Sequence, residues 1–345
     1  MTQSIVLFPF AQYWWFYLVF TGLVLALLSL DLGVFHRKAH AVSFREAGAW
    51  TAVWVTLALA FNVLLYFYAR WSFGDNARLL AIPGFHPDAE AMRVSLEFLA
   101  GYLVEQSLSI DNIFVFVVVF AYFHIPPKYQ HRVLFFGIVG ALIFRAIFIA
   151  IGAALMKYHA VVFLLGGFLV FTGAKMMFSG NEHPHPERNP VIRLLKKLMP
   201  VTHDLEGQHF FVRHSGILHA TPLFVVLLVL EVTDVVFAVD SVPAIFALTK
   251  EPLIVFTSNI FAILGLRSLY FLLAGAVDKF HLLKYGLAIV LMFVGLKMTV
   301  FNWMMGGAKF PIVWSLGVIA GTIGGSIALS LLFPKKENGE RRAGG

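Results

Sequence analysis

The chain has 345 residues, of which 59% are hydrophobic and only 13% are charged. A soluble protein normally has about a quarter of its residues charged, so this composition indicates a polytopic membrane protein. The net charge of +7 is typical of basic cytoplasmic loops rather than of nucleic-acid binding, and the lack of cysteine excludes disulfides and thiolate metal sites.

Nine apolar stretches are long enough to cross a bilayer. In chain order they cover about 13–33, 48–69, 95–123, 132–155, 159–179, 218–248, 254–275, 281–302 and 310–333. The fold class predicted is therefore an all-α polytopic membrane protein with about nine transmembrane helices. Lys and Arg concentrate in alternate loops, which predicts that the N-terminus lies outside and the C-terminus lies in the cytoplasm.

The third to fifth spans resemble the sixth to eighth. Arg145 aligns with Arg267 at an offset of 122 residues (267 − 145), and Asp111 aligns with Asp240 at an offset of 129 (240 − 111). A unit of three spans crosses the membrane an odd number of times, so its second copy enters from the opposite side. This predicts an inverted repeat, an arrangement typical of secondary transporters with a site between the repeats.

The repeat divides the chain into five parts. The predicted parts are an N-terminal two-helix segment (1–94), a first three-helix repeat (95–179), a cytoplasmic loop (180–217), a second three-helix repeat (218–302), and a last helix with a charged tail (303–345). The loop contains His183 and His185, for which a solvated Pro-rich turn is favoured over a metal site.

Five carboxylates lie inside the third and sixth spans, where lipid makes a charge costly. They are Glu105, Asp111, Glu231, Asp234 and Asp240, and Asn112 and Ser241 add neutral oxygens. An oxygen-only set suits Mn²⁺, Mg²⁺ or Ca²⁺, and the residues alone leave these three open. The alternative is that the acids form buried ion pairs with Arg145 and Arg267 as counter-charges. Two arginines cannot neutralise five acids, so some of the acids must be protonated or hold a cation, and a functional site is favoured over ion pairs alone.

Two further acids, Glu97 and Asp31, lie near span ends, where solvated or capping roles are about as plausible as a functional one. The two acidic spans would form helices of about 43 and 46 Å at 1.5 Å per residue, whereas the hydrocarbon core is only about 30 Å thick. Pro243 also removes a backbone donor. The prediction is that these helices are broken or steeply tilted, and that freed carbonyls join the carboxylates as ligands.

The acidic segments resemble the TerC family of integral membrane proteins and its Alx-like branch. The likeness is carried by Glu105-x-Ser-Leu-x-x-Asp111-Asn112, by Glu231-x-x-Asp234-x-x-Phe-Ala-Val-Asp240-Ser241-x-Pro243, by residues 210–213, and by Thr257-Ser258-Asn259 leading to Arg267. The family is similar to the LysE group of exporters. The resemblance implies export of manganese from the bacterial cytoplasm across the inner membrane, and a requirement for the acidic membrane residues.

The chain has no His-Glu-x-x-His, Gly-x-Ser-x-Gly or Walker motif, so no enzymatic activity and no cofactor are expected. The favoured hypothesis is a Mn²⁺ exporter in which Asp111 and Asp240 exchange protons for the metal. Two alternatives stay open: a membrane scaffold of a stress-resistance complex, and a LysE-like exporter of organic cations. The expected partners are a divalent cation and the lipid bilayer, and the oligomeric state is left open.

Overall fold

The computed structural model describes residues 6–30, 42–156, 158–178, 194–195, 197–202, 204–214, 216–274, 280–301 and 311–333, without the side chains of Leu30, Asp111 and Phe114. The predictions made for Asp31, His183, His185 and the charged tail from residue 334 lie outside the described residues.

Within these ranges nine helices are long and apolar enough to cross a membrane, which confirms the predicted fold class. They are α1 (Phe10–Leu30), α2 (Phe44–Gly74), α4 (Pro87–Tyr122), α5 (Pro127–Leu155), α6 (His159–Phe178), α7 (Pro222–Phe246), α8 (Pro252–Leu273), α9 (Leu283–Leu296, continued by a π-helical segment Lys297–Phe301) and α10 (Ile312–Leu332). A short helix, α3 (Ala77–Leu80), follows α2.

The two acidic helices are continuous, so the first alternative, that they are broken, is wrong, and a steep tilt stays a prediction. α4 runs without interruption through Glu105 and Asn112, and α7 runs through Asp234 and Ser241. Pro243 lies in the last turn of α7, where the lost backbone bond and the clash with the preceding turn affect only the helix end.

The three-helix units α4–α6 and α7–α9 pack against each other so that helices of one unit pair with helices of the other. α4 packs on α8 and α5 on α7, while α6 packs on α9. The first helix of each unit thus contacts the second helix of the other, and the two third helices contact each other. A two-fold relation between the units produces this pattern.

The close contacts between α6 and α9 also come in pairs that the repeat relates. A Cβ on Gly173 would lie 2.7 Å from the Ala288 carbonyl oxygen, and a Cβ on Gly295 would lie 2.5 Å from the Gly166 carbonyl oxygen. An offset of 122 residues converts one contact into the other (295 − 173 and 288 − 166). The helices run antiparallel here, as an inverted repeat requires. The superposition of the two units by a 180° rotation stays a prediction.

The N-terminal helices make the two units unequal. α1 and α2 both pack on α8, and every residue of α8 from Leu253 to Tyr270 is buried. The corresponding helix of the first unit, α5, instead exposes Phe136, Ile143 and Ile147 on its outer side. α8 is therefore the central helix of the bundle, whereas α5 lies at its periphery.

A β-hairpin precedes α7, and the sequence analysis did not predict it. Strands β1 (Phe211–His214) and β2 (Ile217–Ala220) pair antiparallel, with Phe211 opposite Ala220. Gly216 in the turn has a φ of 82°, a left-handed conformation that glycine adopts without a Cβ penalty. The hairpin spans the end of the predicted loop 180–217 and the start of the predicted sixth span.

Candidate functional site

A buried arginine lies where α4, α5, α7 and α8 meet. The Arg145 side chain is only 1% exposed. It donates to Glu105 at short range, to the two carboxylate oxygens of Asp234 from Nη2 (3.2 Å) and Nε (3.5 Å), to the Ser241 hydroxyl (3.1 Å) and to Oδ1 of Asn259 (2.6 Å). Both units thus contribute oxygens that converge on one cation.

Helix geometry explains this convergence. Asp234 and Ser241 are seven residues apart on α7 and share a face, as predicted, and both are buried. α4 approaches α8 closely because Gly101 has no side chain: a Cβ there would lie 2.8 Å from the Ser258 hydroxyl oxygen. This close approach brings Glu105 next to Asn259, one residue after Ser258.

Several buried polar atoms on α4 and α8 have no hydrogen-bond partner among the described residues. They are Oε2 of Glu105, Oγ of Ser109, and Nδ2 of both Asn112 and Asn259. Glu105, Ser109 and Asn112 lie along one buried face of α4. A buried polar atom without a partner is costly, so this face is suited to a polar or charged guest.

A small cavity lies on the other side of Asp234. It has a volume of about 20 Å³, which accommodates one water-sized guest. Apolar side chains line most of it, and Asp234, Arg267 and Gly137 also form its wall. Asp234 therefore contacts Arg145 and also borders a cavity that Arg267 lines.

Glu231 lies one helical turn before Asp234 on α7 and faces α5. Its carboxylate occupies the space left by the absent side chain of Gly140, since a Cβ there would overlap it. The Oε2 atom of Glu231 is buried without a partner among the described residues. Glu231 thus lies beside the central cluster but does not contact Arg145.

Asp240 lies on a different face of α7 from Asp234. Its carboxylate accepts a hydrogen bond from the Thr172 hydroxyl and lies near the Lys175 ammonium group, both on α6. The unbroken helix explains this position, because six residues place Asp240 well round the helix from Asp234. Asp111 lies within α4 by its backbone, and its side chain is outside the described residues.

Lysines as well as arginines supply positive charge near these acids. Lys175 accompanies Asp240, and Lys297 is a further buried cation at the start of the π-helical segment. Within the part of the chain that the structure describes, no group of three or more acidic or histidine side chains is arranged to hold a metal ion. In this arrangement Arg145 lies between Glu105 and Asp234.

Asn259 was not among the predicted site residues. Its signal was available, because Asn259 is an amide within an apolar span and part of the Thr257-Ser258-Asn259 segment. Asn259 was missed because the predicted site was built on the two spans that contain the carboxylates.

A second buried polar network lies at the end of the bundle near the N-terminal segment. Glu97 is 4% exposed. It pairs with Arg93 (2.5 Å) and accepts a hydrogen bond from Thr249 (2.5 Å). Neither a solvated nor a capping role, which the sequence analysis weighed for Glu97, describes these contacts.

Glu251 continues this network. Its carboxylate accepts the backbone N–H groups of Leu7 (2.9 Å) and Phe8 (3.1 Å), and its own N–H donates to Thr249 (3.2 Å). Burial raises the pKa of Glu251 above its ordinary value, although the two amides act in the opposite direction. The N-terminal segment is thereby anchored to the start of α8.

Comparison with known proteins places these features in a family. The family described as integral membrane protein TerC matches residues 91–338. An uncharacterized membrane protein of Myxococcus xanthus is 49% identical over 314 residues, which cover 91% of each chain. An Escherichia coli K12 protein provisionally named membrane-bound redox modulator Alx is 43% identical over 306 residues, covering 88% of this chain and 90% of that protein. No solved structure matches.

Proposed function

The chain belongs to the TerC family of integral membrane proteins, and from this premise we propose that it is a secondary transporter that exports Mn²⁺ from the bacterial cytoplasm. One observation carries the proposal: oxygens from both units converge on a buried cation, the Arg145 guanidinium. A set of oxygens that holds one cation in the bundle interior is suited to exchange it for another.

The chemistry of these oxygens favours a hard divalent ion. Glu105 and Asp234 supply carboxylates, Ser241 a hydroxyl and Asn259 an amide, a combination that suits Mn²⁺, Mg²⁺ or Ca²⁺. The preference for manganese among these ions comes from the family resemblance.

Arg145 has a definite part in this mechanism. A buried carboxylate without a counter-charge is strongly destabilising, so Glu105 and Asp234 need a cation or a proton in every state of the cycle. Arg145 supplies the cation before Mn²⁺ arrives and after it leaves. When the metal enters, the guanidinium withdraws and the same oxygens turn to the ion.

Proton coupling is assigned to the acids outside this cluster. Asp240 is half-buried and lies beside Lys175. Its carboxylate can therefore gain or lose a proton while the hydrogen bonds of Arg145 stay in place. Asp111, its repeat counterpart, is proposed for the same role. Protons carried inward on these groups would complete an antiport cycle.

The name of the Escherichia coli relative concerns redox modulation. This chain has no cysteine, so thiol–disulfide exchange by its own residues is excluded. A redox effect of such a protein would follow from the metal that it moves.

The test uses purified protein in liposomes loaded with Mn²⁺, with flux followed by a metal-quenched dye outside. Asp234→Asn should reduce flux to the level of empty liposomes. Asp88→Asn is the matched control, because Asp88 pairs with Arg70 at an exposed position and should leave the flux unchanged. Equal flux in the two variants, or no Mn²⁺ flux in the unmodified protein, would overturn the proposal.

The same liposomes test the coupling. A proton gradient directed opposite to the Mn²⁺ flux should accelerate that flux at matched membrane potential. Flux that ignores the pH gradient would leave a uniporter and refute the antiport cycle.

A further inference from the structure

The two repeat-related arginines differ in one partner. Arg145 donates to Asn259 at 2.6 Å. The offset of 122 residues that relates Arg145 to Arg267 relates Asn259 to Gly137 (259 − 137). Gly137 and Arg267 line the same cavity, and Asp234 lies in its wall. The position that holds an amide beside one arginine is therefore a glycine beside the other.

We propose that Asp234 is shared by the two arginines in two alternative arrangements of the bundle, and that Asn259 is the positioning residue that biases the protein towards the arrangement with Arg145. The inference rests on the proposed transport function, in which the two repeats exchange conformations. In the alternative arrangement Arg267 donates to Asp234, and Arg145 no longer contacts Asp234.

The repeat supplies most of the partners that this exchange requires. Under it, Glu105 and Asp234 exchange places, and Ser241 corresponds to Asn112 (241 − 112 is 129, as for Asp240 and Asp111). Asn112 is 2% exposed, and its Nδ2 has no partner among the described residues, so its amide is not held by a strong competing contact.

Only the Asn259 contact has no counterpart, because Gly137 has no side chain to accept from Arg267. Among the contacts that the repeat relates, the arrangement with Arg145 therefore has the additional amide contact to a charged group. Such a bond is sufficient to bias two otherwise equivalent states by about tenfold.

Gly137 is not required for packing. A Cβ placed on it would meet nothing closer than the Leu227 Cδ1 atom at 4.0 Å, an ordinary contact. The cavity beside it gives additional room. A Cβ at this position is sterically acceptable, so close helix packing does not require the glycine.

The lack of cysteine in the chain makes a direct test possible. Single reporters are placed on either side of Glu105, with Ser109→Cys one helical turn beyond it and Thr249→Cys beside Glu97. Both positions are buried, so a thiol reagent reaches either one only when that end of the bundle opens. The ratio of the two labelling rates, measured on the full chain in lipid nanodiscs, reports the balance of the two arrangements.

Three backgrounds are compared with the unmodified chain. Asn259→Gly removes the bias, Gly137→Asn offers the amide to Arg267, and the double variant transfers the amide from one arginine to the other. The labelling ratio should change by about tenfold in Asn259→Gly. It should change in the same direction in Gly137→Asn and furthest in the double variant.

A ratio that stays within about twofold of the unmodified chain in every folded variant would overturn the proposal. So would changes in opposite directions for the two single variants. If Asn259→Gly fails to fold, Gly137→Asn decides alone, since it removes no native contact. A merely structural role for Asn259 would accelerate labelling at both reporters and leave the ratio unchanged, which also counts against the proposal.

Labelling needs no metal flux, so this test is separate from that of the proposed function. A shifted ratio in a protein that moves no Mn²⁺ would support the exchange and refute the substrate. Mn²⁺ flux with an invariant ratio would do the reverse.

Discussion

Replacing Arg145 by Leu should be among the most destabilising single changes in the bundle. The side chain is 1% exposed and faces the Glu105 and Asp234 carboxylates, which are 0% and 5% exposed. Removing one partner of a buried ion pair costs about 3–5 kcal/mol, because the remaining charge stays buried. Two carboxylates lose their cation here, so we expect a loss of at least about 3 kcal/mol.

The matched control is Arg70→Leu. Arg70 also contacts an acid, Asp88 (2.5 Å), but the two side chains are 54% and 69% exposed, and pairs of this kind contribute about 0–1 kcal/mol. Free energies of unfolding are measured by denaturant titration in lipid–detergent micelles, together with the yield of monodisperse protein. If Arg145→Leu costs no more than Arg70→Leu, the account of Arg145 as an essential buried counter-charge is wrong.

A double variant sharpens the test. Adding Asp234→Asn to Arg145→Leu removes one of the two stranded charges, so the pair should be more stable than the sum of the two single losses. Strict additivity would indicate that Asp234 and Arg145 do not interact in the protein.

Three further outcomes are expected. Gly173→Ala should lower the free energy of unfolding by about 1–3 kcal/mol because its Cβ would press on a backbone carbonyl, whereas Gly167→Ala on the same helix meets nothing within 4 Å and should be neutral in the same titration. The buried Glu251 has a pKa raised above its ordinary 4.5, so its contribution to stability is present below pH 4.5 and is lost as pH rises through the raised value; Glu251→Gln should flatten the fall of the thermal midpoint over that window, and an unchanged profile would contradict this. Asp240→Asn should leave the protein folded and abolish Mn²⁺ flux in liposomes, whereas Ser241→Ala should only weaken it; full flux in Asp240→Asn would refute a role in coupling.

The sequence was a sufficient guide to the helices. Long apolar runs have few alternatives to a membrane-spanning helix, because backbone groups in lipid must be bonded within the segment. The spacing of Asp234 and Ser241 likewise predicted a shared face, and the structure has it. The predicted break at Pro243 was wrong because the sequence does not reveal how close a proline lies to the natural end of its helix.

The site was less accessible to sequence reasoning, because it depends on which helices meet. No pattern in the sequence indicates that α8 lies at the centre of the bundle, and Asn259 was therefore overlooked. Asp240 was grouped with Asp234 on the expectation of a broken helix, whereas it lies beside Lys175 on α6. Contacts between distant residues such as Glu97 and Thr249 leave no periodic signal in either segment.

The complete enclosure of α8 has a consequence for how the protein is made. A helix that carries Asn259 and Arg267 in its middle is poorly suited to enter lipid alone, since each polar group adds to the cost of insertion. The helices that surround it, α2, α4 and α5, are all synthesised earlier. We expect α8 to pack against these helices as it enters the membrane, where Arg145 on α5 offers Asn259 a partner. The order of the helices along the chain thus places α8 after the main helices that it packs against.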